Sequence, residues 1–163
     1  ETDLIGRKLN VETINLGFSG NAFIDYEVAE MMAHVDASAY VLDYVPNASP
    51  EQILEKTEKF VRILREKHPD VPLIFVEDPI FPHSKFDLRM AKEIKDKNDA
   101  MNQAFSSLKK QGLKKIYLVK GRSLISANGE STVDGIHFTD CGFDQYVDAI
   151  LPILKKAINH KKK

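Results

Sequence analysis

The chain has 163 residues, 43% of them hydrophobic and 29% charged, a profile that supports one folded domain with its own core and excludes a disordered chain. Lys and Arg number 23 against 24 Asp and Glu, so the formal charge of -1 offers no footprint for nucleic acid or anionic lipid, and the one basic run is the tail Lys161, Lys162 and Lys163. The single cysteine, Cys141, cannot form an internal bridge, and no apolar run approaches the roughly 18 to 20 residues that a bilayer span requires.

The first residues read as the tail of an amphipathic helix, with Leu4, Ile5 and Leu9 on one side and Arg7 and Lys8 opposite. These residues do not show the signal-peptide pattern of basic start, apolar centre and small-residue cleavage site. Short β-rich apolar runs then predict strands over residues 11–16, 39–43, 72–77 and 115–119. Helical spacing predicts helices over 26–34, 50–67, 92–111 and 140–158 between and after them. The start of the second of these is the best signalled: Ser49 stands at the N-cap, Pro50 at the first helical position and Gln52 where it can reach back. In the last, Phe143, Tyr146, Val147, Ile150, Leu151, Leu154 and Ile158 form one stripe suited to packing on a sheet.

Strand and helix alternate with no linker, repeat or low-complexity stretch, and runs such as Leu73-Ile74-Phe75-Val76 are apolar throughout. That pattern predicts a single α/β domain over residues 1–163, with a parallel sheet covered on both faces. In such sheets ligands bind at the edge where the strands' carboxyl ends meet the loops. Three of those loops carry candidate chemistry. Residues 15–22, Asn-Leu-Gly-Phe-Ser-Gly-Asn-Ala, place two glycines three apart, which permits a tight turn and leaves backbone amides open to a ligand. Residues 43–49 place Asn47 just before a capped helix, where its carboxamide could donate to an oxygen or simply form a turn. Asp43, at a strand end, reads as an orienting hydrogen-bond partner rather than a catalyst.

The third loop, residues 131–140, sets Asp134 three residues before His137 with Gly135 between. Such a pair can fold back so that the carboxylate holds one imidazole nitrogen and leaves the other free as a base, although the same spacing also serves ordinary turns. His34, His68, His83 and His160 share no ligand spacing, so neither a metal nor a cofactor is expected. Bare amides, a carboxamide and an Asp/His pair at one edge are what acyl transfer needs, apart from a nucleophile.

Taken jointly, these residues resemble the SGNH hydrolases, also called the GDSL lipase/esterase family, and most closely a bacterial subgroup of candidate esterases. The stretch from Asn15 to Gly20 is similar to the family's second block, which assigns an oxyanion-hole amide to Gly20. Asn47 matches the third block, whose Asn supplies another donor, and Asp134 to His137 match the fifth. The resemblance implies a three-layer α/β/α sandwich with a flavodoxin-like sheet in order 2-1-3-4-5. It implies hydrolysis of a small-molecule or carbohydrate ester with a short acyl group such as acetyl, and a secreted or periplasmic bacterial setting. The subgroup often carries an N-terminal β-sandwich domain.

The family's first block, Gly-Asp-Ser or Gly-Thr-Ser at the end of the first strand, is not matched in this chain. The first strand and the serine are therefore expected upstream of Glu1, in a slot between the strands predicted over 11–16 and 39–43, which the upstream segment or another chain would fill. Ser19, Ser49 and Ser131 are not substitutes by resemblance, and Phe138 stands where a Pro often follows the His. A non-catalytic module binding a glycan or an acylated ligand is the competing expectation; a flavodoxin-like cofactor binder lacks the phosphate-cradling loop.

Overall fold

The computed structural model describes residues 1–159, so His160 and the basic tail Lys161, Lys162 and Lys163 lie outside the described residues. Five α-helices, α1 (Thr2–Leu9), α2 (Tyr26–Met32), α3 (Pro50–Lys67), α4 (Leu88–Lys110) and α5 (Asp140–Asn159), alternate with three strands, β1 (Tyr40–Leu42), β2 (Leu73–Val76) and β3 (Ile116–Val119). The strands form a parallel sheet in the order β1-β2-β3, with Tyr40 opposite Leu73 and Leu73 opposite Ile116.

Because neighbouring side chains on a strand point to opposite faces, the apolar run of β2 feeds two cores. Leu73 and Phe75 pack with residues of α2, α3 and α4, whereas Ile74 and Val76 pack with Tyr146, Ile150 and Leu154 of α5. Ile5 and Leu9 of α1 close the second core, and Lys8 ties α1 to α5 through Asp144 and Asp148 at 2.9 and 2.7 Å. The result is a three-layer α/β/α sandwich, as the sequence predicts.

Helix boundaries follow local capping. Ser49 Oγ accepts from the Gln52 N–H at 3.2 Å while the Gln52 side chain accepts from the Ser49 N–H at 2.9 Å, so α3 begins where the capping box predicts. Helix α4 starts at Leu88 rather than Lys92, because Asp87 Oδ1 accepts from the N–H groups of Arg89 and Met90 at 2.9 and 3.0 Å.

The strand expected over residues 11–16 is a correction. That segment lies outside the sheet, and Val11, Ile14 and Leu16 stay exposed. A strand exists only where a neighbouring strand satisfies its N–H and C=O groups, and among the described residues no strand pairs with this segment. The two predicted strands do not pair directly. Between residues 11–16 and β1 lies a cavity of about 640 Å³, lined by Ile14, Leu16, Ala39, Val41, Asp43 and Ile150 among others, and β1 is the edge strand that faces it. The first strand of the expected sheet is thus not found among the described residues, and the three strands present correspond to its 3-4-5 part.

Candidate functional site

The loop that joins β3 to α5 is closed on itself before it presents any chemistry. The Thr139 N–H donates to Ser131 O at 3.0 Å, the Val133 N–H donates to His137 O at 2.9 Å, and Thr132 bridges Phe138 in antiparallel fashion. Gly135 turns the tip with φ 96°, in the left-handed region that side chains disfavour. Within that tip Asp134 Oδ1 accepts from the backbone N–H groups of Ile136 and His137 at 3.0 and 2.8 Å, which aims its second oxygen at the imidazole. Asp134 Oδ2 and His137 Nδ1 lie 2.6 Å apart. The bond to the His137 side chain, backed by the His137 and Ile136 amides, holds the Asp134 carboxyl well below the usual carboxylate range. An ionised carboxylate can only accept, so Nδ1 carries a proton, and Nε2, on the side of the ring away from Asp134, is the nitrogen left to exchange a proton with a reactant. The pairing expected from the Asp-x-x-His spacing is present.

The base of the loop is set by aromatic and steric fit. Phe138 packs against Phe81, Phe143 and Tyr146 with ring centroids 6.3, 5.4 and 5.3 Å apart. The apolar ring in the position of the expected Pro therefore anchors His137 to the second core. The loop after β2 leans on the same feature, since His83 Cβ and Cγ lie 3.6 Å from where a Cβ on Gly135 would stand. At the start of α5, Thr139 Oγ1 accepts from the Gly142 N–H at 3.0 Å, and a Cβ on Gly142 would stand 2.0 Å from Ser131 O. Gly142→Ala is expected to push α5 off the loop and to destabilise the fold by about 1–3 kcal/mol, measurable as a lowered Tm with a parallel loss of the Asp134–His137 contact in NMR spectra.

Asn47 follows β1 in the Tyr44–Asn47 turn, its N–H donating to Tyr44 O at 3.0 Å. Its carboxamide is exposed, makes no hydrogen bond among the described residues and lines the 640 Å³ cavity. Gly20 stands at φ 82° after Ser19 at φ 47°, two consecutive left-handed residues closing a tight turn in which the Asn21 N–H donates to Phe18 O at 3.2 Å. Gly17, Ser19 and Asn21 of this turn line the same cavity as Asn47, whereas Gly20, Asp134 and His137 are not part of its lining. The structure therefore brings Asp134 and His137 into contact and sets Asn47 and the Gly20 turn around one cavity, without direct contact between the two groups. The three serines considered above are otherwise engaged or unsupported: Ser49 caps α3, buried Ser131 donates to Gln145 Oε1 at 2.8 Å, and exposed Ser19 sits in the turn.

Asp43 gains a larger part than the sequence suggests. One residue beyond the β1 ladder, its Oδ2 accepts from Tyr146 Oη at 2.5 Å, and its Oδ1 is buried without a partner. Tyr146 links this carboxyl to Phe138 and so to the histidine loop, across 103 residues of sequence. Burial, reinforced by the nearby carboxyls of Glu1 and Asp78 and opposed by the Tyr146 bond, pushes Asp43 up to about 7 from its ordinary 3.8. Between those two values the folded chain holds a proton that the unfolded chain has lost, so stability must fall as pH rises through this window. Urea unfolding of the 163-residue chain is expected to show that decline between about pH 4 and 7, and Asp43→Asn should lessen it, leaving the part contributed by Asp78, which burial pushes up to about 6. Among the described residues no group of three or more His, Cys, Asp and Glu side chains is placed to hold a metal ion. Among the described residues no helix is long and apolar enough to cross a membrane.

The profile of the GDSL-like lipase/acylhydrolase family matches residues 1–155. A crystal structure of a GDSL-like lipase candidate from Bacteroides ovatus superposes with a TM-score of 0.88 at 38% identity, over 94% of this chain and 47% of that one. The salicylyl-acyltransferase of a tetracycline biosynthetic pathway superposes with a TM-score of 0.78 at 15% identity, over 95% of this chain and 48% of that one, which is a likeness of fold. The chain thus spans about half the length of the solved structures it matches. No curated protein matches it.

Proposed function

Since the chain belongs to the GDSL-like lipase/acylhydrolase family, we propose that residues 1–163 are the larger part of a single hydrolase domain that, in the full-length protein, cleaves carboxylic esters with a serine located upstream of Glu1. The observation that carries this reading is the Asp134–His137 pair, 2.6 Å apart, with Nε2 of the imidazole left open to solvent. In the forward step the serine Oγ attacks the ester carbonyl carbon and His137 Nε2 takes the hydroxyl proton. Collapse of the tetrahedral adduct breaks the bond to the alcohol, which leaves with the proton from Nε2. Water then attacks the acyl-serine, Nε2 takes its proton, and collapse returns that proton to Oγ as the acid departs. Asp134 keeps the proton on Nδ1 throughout and stabilises the imidazolium when it forms.

The oxyanion is assigned to the Gly20 amide and the Asn47 carboxamide, with the serine's own amide as a third donor. The serine would arrive on the turn of a strand seated beside β1. The acyl group is proposed to be short, such as acetyl, and the alcohol a carbohydrate. A fluorophosphonate probe, applied to the full-length protein and to this chain and followed by peptide mapping, tests the assignment. Labelling is expected on one serine before Glu1, in the full-length protein only. A modified serine within the present chain would overturn the location of the nucleophile, and a folded full-length protein that takes no label would favour a binding module over an enzyme.

A further inference from the structure

Two buried carboxyl oxygens at the sheet's carboxyl edge have no partner, Asp43 Oδ1 and Asp78 Oδ1, and of the two residues Asp43 is the one that lines the 640 Å³ cavity beside β1. A carboxylate oxygen buried without a donor marks a place where a donor belongs. Three observations identify it. The Asp43 side chain lines the 640 Å³ cavity, and that cavity lies between the unpaired edge of β1 and the segment 11–16, a space bounded as a β-strand would be. Leu42 is the last ladder residue, so a parallel neighbour running past it into a turn leaves backbone N–H groups that β1 cannot satisfy, and Asp43 is the next residue. The nearby carboxyls of Glu1 and Asp78 leave the local field in want of a donor rather than another acceptor.

We propose that Asp43 is a positioning residue whose Oδ1 accepts a backbone N–H from the turn that ends a strand of the same polypeptide seated in this cavity, while Tyr146 holds the carboxyl in the accepting orientation. The buried Oδ1 offers that N–H an acceptor shielded from competing water, which suits a turn that must not drift. The same tyrosine packs on Phe138 beside His137, so one side chain holds both the carboxyl that grips the turn and the loop that carries the base. In the hydrolase reading, on which this inference rests for its catalytic consequence, that turn bears the nucleophile.

The test is amide hydrogen exchange on the full-length protein together with ester hydrolysis kinetics, for wild type, Asp43→Ala and Asp43→Asn. Asp43→Ala is expected to speed exchange in the peptide that spans the turn by about 10-fold or more, with β2 and β3 peptides unchanged, and to lower kcat by about 10 to 100-fold with KM within about threefold. Asp43→Asn keeps a carbonyl oxygen for the turn and an amide for Tyr146, and should restore both readouts to within a few-fold of wild type. Should Asp43→Ala be insoluble, Asp43→Leu removes both acceptors without opening a cavity. Wild-type exchange at the turn in the Ala or Leu variant would overturn the proposal, and so would equal losses of protection in β2 and β3, the mark of a merely structural role. A wild-type protein that hydrolyses no ester and takes no fluorophosphonate would sink the hydrolase reading alone, because the exchange measurement still decides the role of Asp43.

Discussion

His137→Ala in the full-length protein is expected to lower kcat for a short-chain ester such as p-nitrophenyl acetate by a factor on the order of 10⁴ or more, because no other group near the nucleophile would replace Nε2 as base and then as acid. The side chain is 78% exposed and its hydrogen-bond partner is Asp134, so the variant should fold with an unchanged Tm. Unchanged stability with lost turnover separates a chemical role from a structural one. Asp134→Asn should lose less, since the Asn amide can still approach the ring but imposes the wrong tautomer and no longer stabilises its charged form. Turnover within tenfold of wild type in His137→Ala would remove His137 from the mechanism, and ligand affinity kept by a variant of a protein without activity would point to the binding module instead.

Asn47→Ala is expected to have the second largest effect, a loss of about 100 to 1,000-fold in kcat with KM little changed, the usual cost of deleting one oxyanion donor. The reason for expecting a clean result is local: the turn is held by the Asn47 backbone N–H, not by its carboxamide, which has no partner among the described residues. Removing the side chain therefore leaves the turn and the capping box of α3 in place. Steady-state kinetics of the full-length protein check this, and a kcat near wild type would transfer the oxyanion to the Gly20 turn and the serine amide.

The elements that could be read correctly from the sequence are those whose determinants lie within a few residues of one another. The Ser49–Gln52 box starts α3 where it stands, and the Asp134–His137 pair is legible because a carboxylate, a glycine and an imidazole three residues apart close on themselves. Asp87 carried the same kind of local signal for α4 and was available to find its true start. The segment 11–16 shows the opposite case. Its apolar, β-branched composition fits a strand, yet composition supplies side chains for a sheet and not the neighbouring backbone that a strand must pair with.

The α/β class and the three long helices α3, α4 and α5 were legible in the residues alone, since periodicity, capping and turn chemistry act over short range. What holds the candidate site in place was not. The Tyr146–Asp43 bond joins residues 103 apart, Phe138 takes its place among rings from two other segments, and Gly142 is required by a carbonyl eleven residues earlier that no local rule places there. Such contacts depend on how layers of the sandwich meet, and a buried oxygen without a partner becomes visible only once the chain has closed around it.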